Sequence, residues 1–176
     1  MLWVHERFPL PNAPFFVLLF IVAYAVAASS EKREVIFSWN IIIGCLLSWS
    51  YFLLLRIFDE HKDYLIDCEH HPQRVLQRGL ITLKHLKFVG AGCIALQLFA
   101  SMAIDGGIAG ATLAWVLLFA WTCLMGKEFF IGQWLNQYLT CYAISHMLVM
   151  PLIILWLANI AVPGVTLSAP MQILML

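Results

Sequence analysis

Long apolar stretches are the feature that most restricts how this chain can fold. Each one approaches or exceeds the roughly 20 residues that a helix needs to cross about 30 Å of hydrocarbon. A water-soluble domain of this size cannot bury so much apolar surface, because 62% of the 176 residues are hydrophobic and only 11% are charged. The sequence therefore predicts a single all-α domain, residues 1–176, built as a multi-span integral membrane helical bundle. We expect about five transmembrane helices, at residues 13–28, 36–58, 88–104, 108–125 and 138–162.

Two local features decide the number of spans. The turn sequence Asp105-Gly106-Gly107 separates the third apolar stretch from the fourth. Pro151 interrupts the last stretch, where a proline either kinks a spanning helix or marks a helix that enters the membrane and returns. Four spans and six spans are therefore the alternatives to five.

The positions of Lys and Arg predict the orientation of the bundle, since positively charged loops tend to stay on the cytoplasmic side. With the amino terminus inside, eight basic residues fall on the inner side and two on the outer side: Arg7, Arg56, Lys62, Arg74, Arg78, Lys84, Lys87 and Lys127 against Lys32 and Arg33. We therefore expect the amino terminus and the polar loop 59–87 to be cytoplasmic. Because the formal net charge is zero and the basic residues are few, we expect no nucleic-acid partner.

The cytoplasmic loop is unusually acidic. Five of the ten Asp and Glu residues of the chain lie between Asp59 and Glu69. Asp59, Asp63 and Asp67 recur every four residues, which places their carboxylates along one face of a helix that continues from the second span. Such a face suits Mg²⁺, which binds one or two carboxylates together with phosphate oxygens.

Basic residues follow the acids along the same loop. Arg74 and Arg78, with Lys84 and Lys87 further on, can face the phosphate oxygens of the same ligand. The planar guanidinium group is well shaped for bidentate contact with phosphate. Acids for a metal and bases for phosphate together predict a diphosphate site. The alternative is a solvated cytoplasmic face that carries both signs of charge and only sets the topology.

This loop resembles a known motif. The pattern DExxDxxxD at residues 59–67, followed by PxR at residues 72–74 and by Gly79, resembles the first aspartate-rich motif of the UbiA family of membrane prenyltransferases. The usual form of that motif is NDxxDxxxD, followed at the same spacing by PxRPxxxG. The chain departs from the family at three positions, where the family has Asn, Asp and Pro and this sequence has Asp59, Glu60 and Val75.

The resemblance implies an all-helical fold around a lipid-accessible cavity, of which this chain is the UbiA-like first half. It implies Mg²⁺-dependent transfer of a polyprenyl group from its diphosphate to an aromatic or other lipid-soluble acceptor, in the bacterial inner membrane. In such a site magnesium would be held by Asp59, Glu60, Asp63 and Asp67. Asp63 and Asp67 would be the catalytic residues. The diphosphate would be bound by Lys62, Arg74 and Arg78.

The second aspartate-rich motif of the family is missing from this sequence. After Glu69 the chain has only two carboxylates, Asp105 and Glu128. Three explanations are open: a piece of a longer enzyme, a natural half that pairs with a second copy or with another membrane subunit, or a non-catalytic subunit that binds isoprenoid, quinone or pigment within a larger complex. Each of them leaves membrane lipid and an isoprenoid lipid as the expected ligands.

His146 is an ionisable residue inside the last apolar stretch. At membrane depth such a group usually has a hydrogen-bond partner or lines a cavity. We expect a neutral imidazole that is bonded to a neighbouring backbone carbonyl.

Overall fold

A computed structural model describes residues 2–36 and 39–165, and all regular structure in these ranges is helical. The all-α class is therefore confirmed for the described residues. Nine α-helices lie there, with a 3₁₀ turn at Leu10–Asn12 and a short left-handed turn at Glu128–Phe130: α1 Leu2–Arg7, α2 Ala13–Ser30, α3 Trp39–Lys62, α4 Tyr64–His70, α5 Leu83–Asp105, α6 Gly110–Gly126, α7 Gly132–Gln137, α8 Leu139–Met147 and α9 Val149–Ala161.

Four helical segments in the described ranges are long and apolar enough to cross a membrane: Leu10–Ser30, Trp39–Lys62, Leu83–Asp105 and Leu139–Ala161. They correspond to the first, second, third and fifth predicted spans. The fourth predicted span is α6, which is apolar but only 17 residues long. At 1.5 Å per residue it measures about 25 Å, at the short end for a spanning helix.

The loop predicted at residues 59–87 is partly helical. Helix α3 continues to Lys62, so Asp59 and Glu60 belong to its last turn. Helix α4 follows within the loop. Helix α5 begins at Leu83, because Thr82 caps it: the Thr82 hydroxyl accepts from the His85 backbone N–H, and the His85 ring accepts from the Thr82 N–H.

The last apolar segment is broken at Leu148, between α8 and α9. Pro151 explains the break, because it has no N–H for the carbonyl of Met147 and its ring collides with that carbonyl in a regular helix. Of the two interpretations of Pro151, the structure shows the interrupted helix that still continues to Ala161.

Helix α9 is the centre of the bundle. Nine of its thirteen residues are buried, and it packs against α2, α3 and α6. A helix that is apolar on every side is expected to be surrounded in this way. A second apolar cluster lies where α1 folds over α3 and α5, with Trp3 and Phe8 buried beside Leu53, Ile57 and Leu86. This second cluster holds the first helix against the charged end of α3.

A polar network crosses the buried middle of the bundle. The Gln97 amide donates to the Ser50 hydroxyl at 3.1 Å and accepts from the Trp115 indole at 3.1 Å. The Ser101 hydroxyl donates to the backbone carbonyl oxygen of Gln97 at 2.8 Å and accepts from the Trp156 indole at 2.9 Å. These bonds connect α3, α5, α6 and α9, so the polar groups fix the relative positions of four helices at low desolvation cost.

Candidate functional site

Glu60 is the most buried charged residue of the acidic motif. Its side chain is 1% exposed, and its Oε1 accepts from Arg7 Nε at 2.5 Å and from Arg56 Nη2 at 3.1 Å. Arg56 lies one helical turn earlier on α3, whereas Arg7 comes from α1, 53 residues away in sequence. Two guanidinium groups on Oε1 offset part of the cost of burying this carboxylate, since an unpaired buried charge is costly.

Asp67 is held in the same way. It lies in the first turn of α4 and is 8% exposed. Its Oδ2 is 2.6 Å from Arg74 Nη1 and 3.6 Å from Arg7 Nη2. Arg7 therefore bridges Glu60 and Asp67, and Arg74 secures the turn that follows α4. Arg74, predicted to bind diphosphate, contacts an acid of the motif in this structure.

Asp59 and Asp63 have a different environment. Both line a cavity of about 170 Å³ between α3, α6 and α8. Asp59 is loosely paired, with 3.7 Å between its Oδ2 and Arg56 Nη1 and a side chain that is 56% exposed. Asp63 forms no ion pair with any residue in 2–36 or 39–165. These two carboxylates are therefore the acids of the motif that remain open to a ligand.

The acids separate into two pairs although the backbone hydrogen bonds run on through the motif. Helix α3 ends at Lys62 and α4 begins at Tyr64, with Asp63 between them. The helical hydrogen bonds nevertheless continue, from the Asp63 N–H to Asp59 at 2.9 Å and from the Asp67 N–H to Asp63 at 2.8 Å. The four-residue repeat is preserved, but Asp67 lies toward Arg74 and outside the cavity.

Lys62 supplies positive charge beside the open carboxylates. Its ammonium group donates to the Tyr142 hydroxyl at 3.0 Å, lies 2.8 Å from Glu128 Oε1, and sits 5.5 Å from the centre of the Tyr142 ring. Lys62 and Tyr142 both line the cavity with Asp59 and Asp63. The lysine is thus fixed by three contacts before any ligand binds.

Glu128 reaches Lys62 from an unusual turn. Glu128, Phe129 and Phe130 have positive φ values of 48°, 55° and 60°, a left-handed conformation that costs roughly 1–2 kcal/mol per residue. Gly132 leaves room for the Glu128 carboxylate, because a Cβ atom there would overlap Glu128 Oε2. The connection between α6 and α7 therefore keeps a strained conformation that places Glu128 beside Lys62.

His146 lines the same cavity. Its Nδ1 lies 2.9 Å from the Tyr142 carbonyl oxygen, and its ring stacks on the Tyr142 ring with 4.0 Å between centroids. A carbonyl oxygen only accepts, so Nδ1 carries the hydrogen. The predicted hydrogen bond to a neighbouring backbone carbonyl is confirmed.

Arg78 is the predicted site residue that lies apart from the others. Its side chain is exposed and lines neither the cavity nor the Glu60 and Asp67 pairs. The chain turns at Gly79, which has a φ of 75°. The structure thus brings together Glu60, Asp67 and Arg74 in one cluster, and Asp59, Asp63 and Lys62 in another.

The acid motif is not a metal cage made by protein alone. Within residues 2–36 and 39–165, no three His, Cys, Asp or Glu side chains are close enough to hold a metal ion. Asp59 and Asp63 match the coordination preference of Mg²⁺, which binds one or two carboxylates and takes its remaining ligands from water and phosphate. The donor set suits a metal that arrives with a phosphorylated ligand.

Several residues of the site were not identified from the sequence. Arg56 could have been found, because its four-residue spacing from Glu60 is a standard helical ion pair. Arg7, Glu128 and Tyr142 carry no local pattern that points to the acidic motif. Their roles depend on packing between distant parts of the chain.

Comparisons of the chain with known protein families, with curated protein sequences and with solved structures give no match. The likeness to UbiA prenyltransferases rests on the residues of the motif at 59–79.

Proposed function

We propose that the chain is an integral membrane protein of the UbiA type, corresponding to the first half of that architecture, and that it binds the diphosphate of an isoprenoid lipid with Mg²⁺. The bound lipid is the donor for transfer of its polyprenyl group to an aromatic or other lipid-soluble acceptor. Four helices long enough to span a bilayer support the membrane location, and the inner membrane of a bacterium is the expected one. The position of DExxDxxxD at the end of α3 supports the binding site.

One observation carries this proposal: Asp59 and Asp63 share a cavity with Lys62. Two carboxylates and a cation match the needs of a diphosphate bound through Mg²⁺. Glu60 and Asp67 contribute differently, since their arginine contacts fix the end of α3 and the start of α4. The metal ligands from the protein are therefore Asp59 and Asp63, a smaller set than the four acids that the resemblance implies.

The residues around the cavity can stabilise a diphosphate as it departs from the prenyl group. Bound Mg²⁺ would act as a Lewis acid on the departing group. Lys62 is held in place by Glu128 and Tyr142, so its charge needs little rearrangement to stabilise the negative charge that develops on the phosphate. Leu55, Phe58 and Met125 form the apolar part of the same cavity.

A specific observation favours a second candidate, a non-catalytic subunit that binds isoprenoid, quinone or pigment. The two carboxylates that follow the motif are both engaged. Asp105 accepts backbone N–H groups from Ala109, Ala111 and Thr112 at 2.7 to 3.1 Å, and Glu128 pairs with Lys62. No second acidic cluster forms in the described ranges. Transfer therefore requires acidic groups from a further part of a longer chain, from a second copy related by an axis along the membrane normal, or from a partner membrane subunit.

The binding proposal is tested by calorimetry on the purified chain in detergent, with geranylgeranyl diphosphate alone, Mg²⁺ alone and both together. We expect saturable binding when both are present. Asp63→Asn should abolish the Mg²⁺-dependent heat with little change in thermal stability, because Asp63 has no ion-pair partner in the described chain. Glu69→Gln is the matched control, since Glu69 is an exposed acid of the same loop. Wild-type binding by Asp63→Asn would refute the site.

Transfer is tested separately from binding. Native mass spectrometry in lipid reports whether the chain is a monomer, a dimer or part of a larger complex. Product formation from geranylgeranyl diphosphate and an aromatic acceptor supports the enzyme. Binding without turnover in every assembly state supports the non-catalytic subunit and refutes transfer by this chain.

A further inference from the structure

An apolar groove of about 290 Å³ runs between α3 and α5 and adjoins the acidic cavity, with which it shares Phe58. Its size is close to the lower limit of roughly 300 Å³ for pockets that hold small molecules. Leu54, Ile57 and Ile94 line it, together with Gly90 and Ala91. A Cβ atom on Gly90 would lie in ordinary contact, 3.5 Å from both Leu54 and Ile57, so the lack of a side chain at Gly90 leaves this space to the groove. The groove therefore fits a hydrocarbon chain that lies along the helices.

The polar residues of the groove lie at one end. His61 is in the last turn of α3, and Lys87 is in the second turn of α5. Both belong to the end of the bundle that carries the acidic motif. Ile94, seven residues after Lys87, lies two turns deeper. A ligand that fills the groove thus needs a polar head at the His61 end and an apolar tail beyond it.

His61 indicates which chemical group the polar head of the ligand needs. Its Nδ1 lies 2.8 Å from the Ile57 carbonyl oxygen. Since a carbonyl only accepts, Nδ1 carries the hydrogen. The other nitrogen, Nε2, is buried and has no hydrogen-bond partner among the described residues. In the neutral ring Nε2 is an acceptor, so the missing partner is a donor such as a hydroxyl group.

Lys87 indicates the charge of the ligand's polar head. It is exposed at the mouth of the groove and forms no ion pair within residues 2–36 and 39–165. A free ammonium group at the end of an apolar groove complements an anion, and basic pockets between spanning helices on the cytoplasmic side bind anionic lipid heads. The ligand is therefore an anion with a hydroxyl group and a hydrocarbon tail.

We propose that this groove is a binding site for phosphatidylglycerol. The lipid phosphate contacts Lys87, a glycerol hydroxyl donates to His61 Nε2, and one acyl chain lies against Leu54 and Ile57. The inference is independent of the isoprenoid site, because it uses neither Asp59 nor Asp63.

The test measures lipid retention by native mass spectrometry of the full chain, released from micelles that contain one lipid at a time. Phosphatidylglycerol is compared with phosphatidylcholine, which lacks net charge, and with phosphatidylethanol, which keeps the anionic phosphodiester but lacks the hydroxyls. We expect the wild-type chain to retain phosphatidylglycerol above both. Lys87→Gln should lower its retention about fivefold, the factor for one lysine near an anionic lipid surface.

Three further variants complete the design. Lys84→Gln is the matched control, because Lys84 is exposed on the same helix but does not line the groove, and it should leave retention unchanged. His61→Phe should remove the preference over phosphatidylethanol. Ala91→Phe fills the groove and should lower retention of all three lipids. Equal retention of phosphatidylglycerol and phosphatidylcholine by the wild type, or equal losses in Lys84→Gln and Lys87→Gln, would overturn the proposal.

Discussion

Arg7 connects the first helix to the acidic motif, and its replacement gives a quantitative test of how the site is held together. Arg7→Gln removes the contacts of the guanidinium with Glu60 and Asp67. Breaking one side of a buried ion pair typically costs about 3–5 kcal/mol, because the remaining charge stays buried. Arg56 continues to contact Glu60, and the Arg7 side chain is 18% exposed. Both facts lower the expected cost to about 2–3 kcal/mol.

This cost is measurable by thermal unfolding in detergent. For a chain of this length, 1 kcal/mol corresponds to a change in Tm of roughly 2–4 °C, so we expect Arg7→Gln to lower the Tm by about 4–12 °C. Arg78→Gln is the control, because Arg78 is exposed and such changes stay within about 0.5 kcal/mol. In the double variant Arg7→Gln/Glu60→Gln the loss should be smaller than the sum of the single losses. Equal Tm values for Arg7→Gln and Arg78→Gln would refute the reasoning.

Two further predictions concern stability, and thermal unfolding in the same detergent checks both. A Cβ atom at Gly44 would overlap the buried Phe20 ring, so Gly44→Ala should cost about 1–3 kcal/mol. Gly92 faces open space within its helix, so Gly92→Ala should stabilise the chain by about 0.5–1 kcal/mol. A Tm that is higher for Gly44→Ala than for Gly92→Ala would contradict the packing of α2 on α3. Asp105→Ala removes the carboxylate that accepts from the Ala111 and Thr112 N–H groups at the start of α6, and the cost should be that of a lost N-terminal cap, about 0.5–2 kcal/mol. An unchanged Tm would show that these hydrogen bonds contribute nothing.

The helical class and most helix positions were predictable because hydrophobicity acts locally along the chain. The break at Leu148 also followed from a local cause, the missing N–H of Pro151. The sequence predicted that the helix of the second span continues into the acidic repeat, but it did not show that Arg7 is the partner of Glu60 there. A contact across 53 residues leaves no periodic trace in a single sequence.

The candidate site shows the same limit. The repeat of Asp59, Asp63 and Asp67 was visible, and backbone hydrogen bonds link these residues in the structure, but only Asp59 and Asp63 line the cavity. The repeat does not reveal which carboxylates have arginine partners. That depends on where α1 and the turn at Arg74 pack, so the division of the acids into a supported pair and an open pair required the structure.

The charge balance of the site explains why metal and diphosphate are expected to bind together. The four acids of the motif lie beside four cationic residues: Asp59, Glu60, Asp63 and Asp67 beside Arg7, Arg56, Lys62 and Arg74. Glu128 adds one more negative charge. Mg²⁺ gives up its water reluctantly, and a nearly neutral site has little excess negative charge to compensate for that loss. In the proposed site the phosphate oxygens of the ligand would supply the missing charge, and Lys62 would offset part of the charge that they bring. Saturable binding of Mg²⁺ alone would therefore mean that the arginines release Glu60 and Asp67 to the metal.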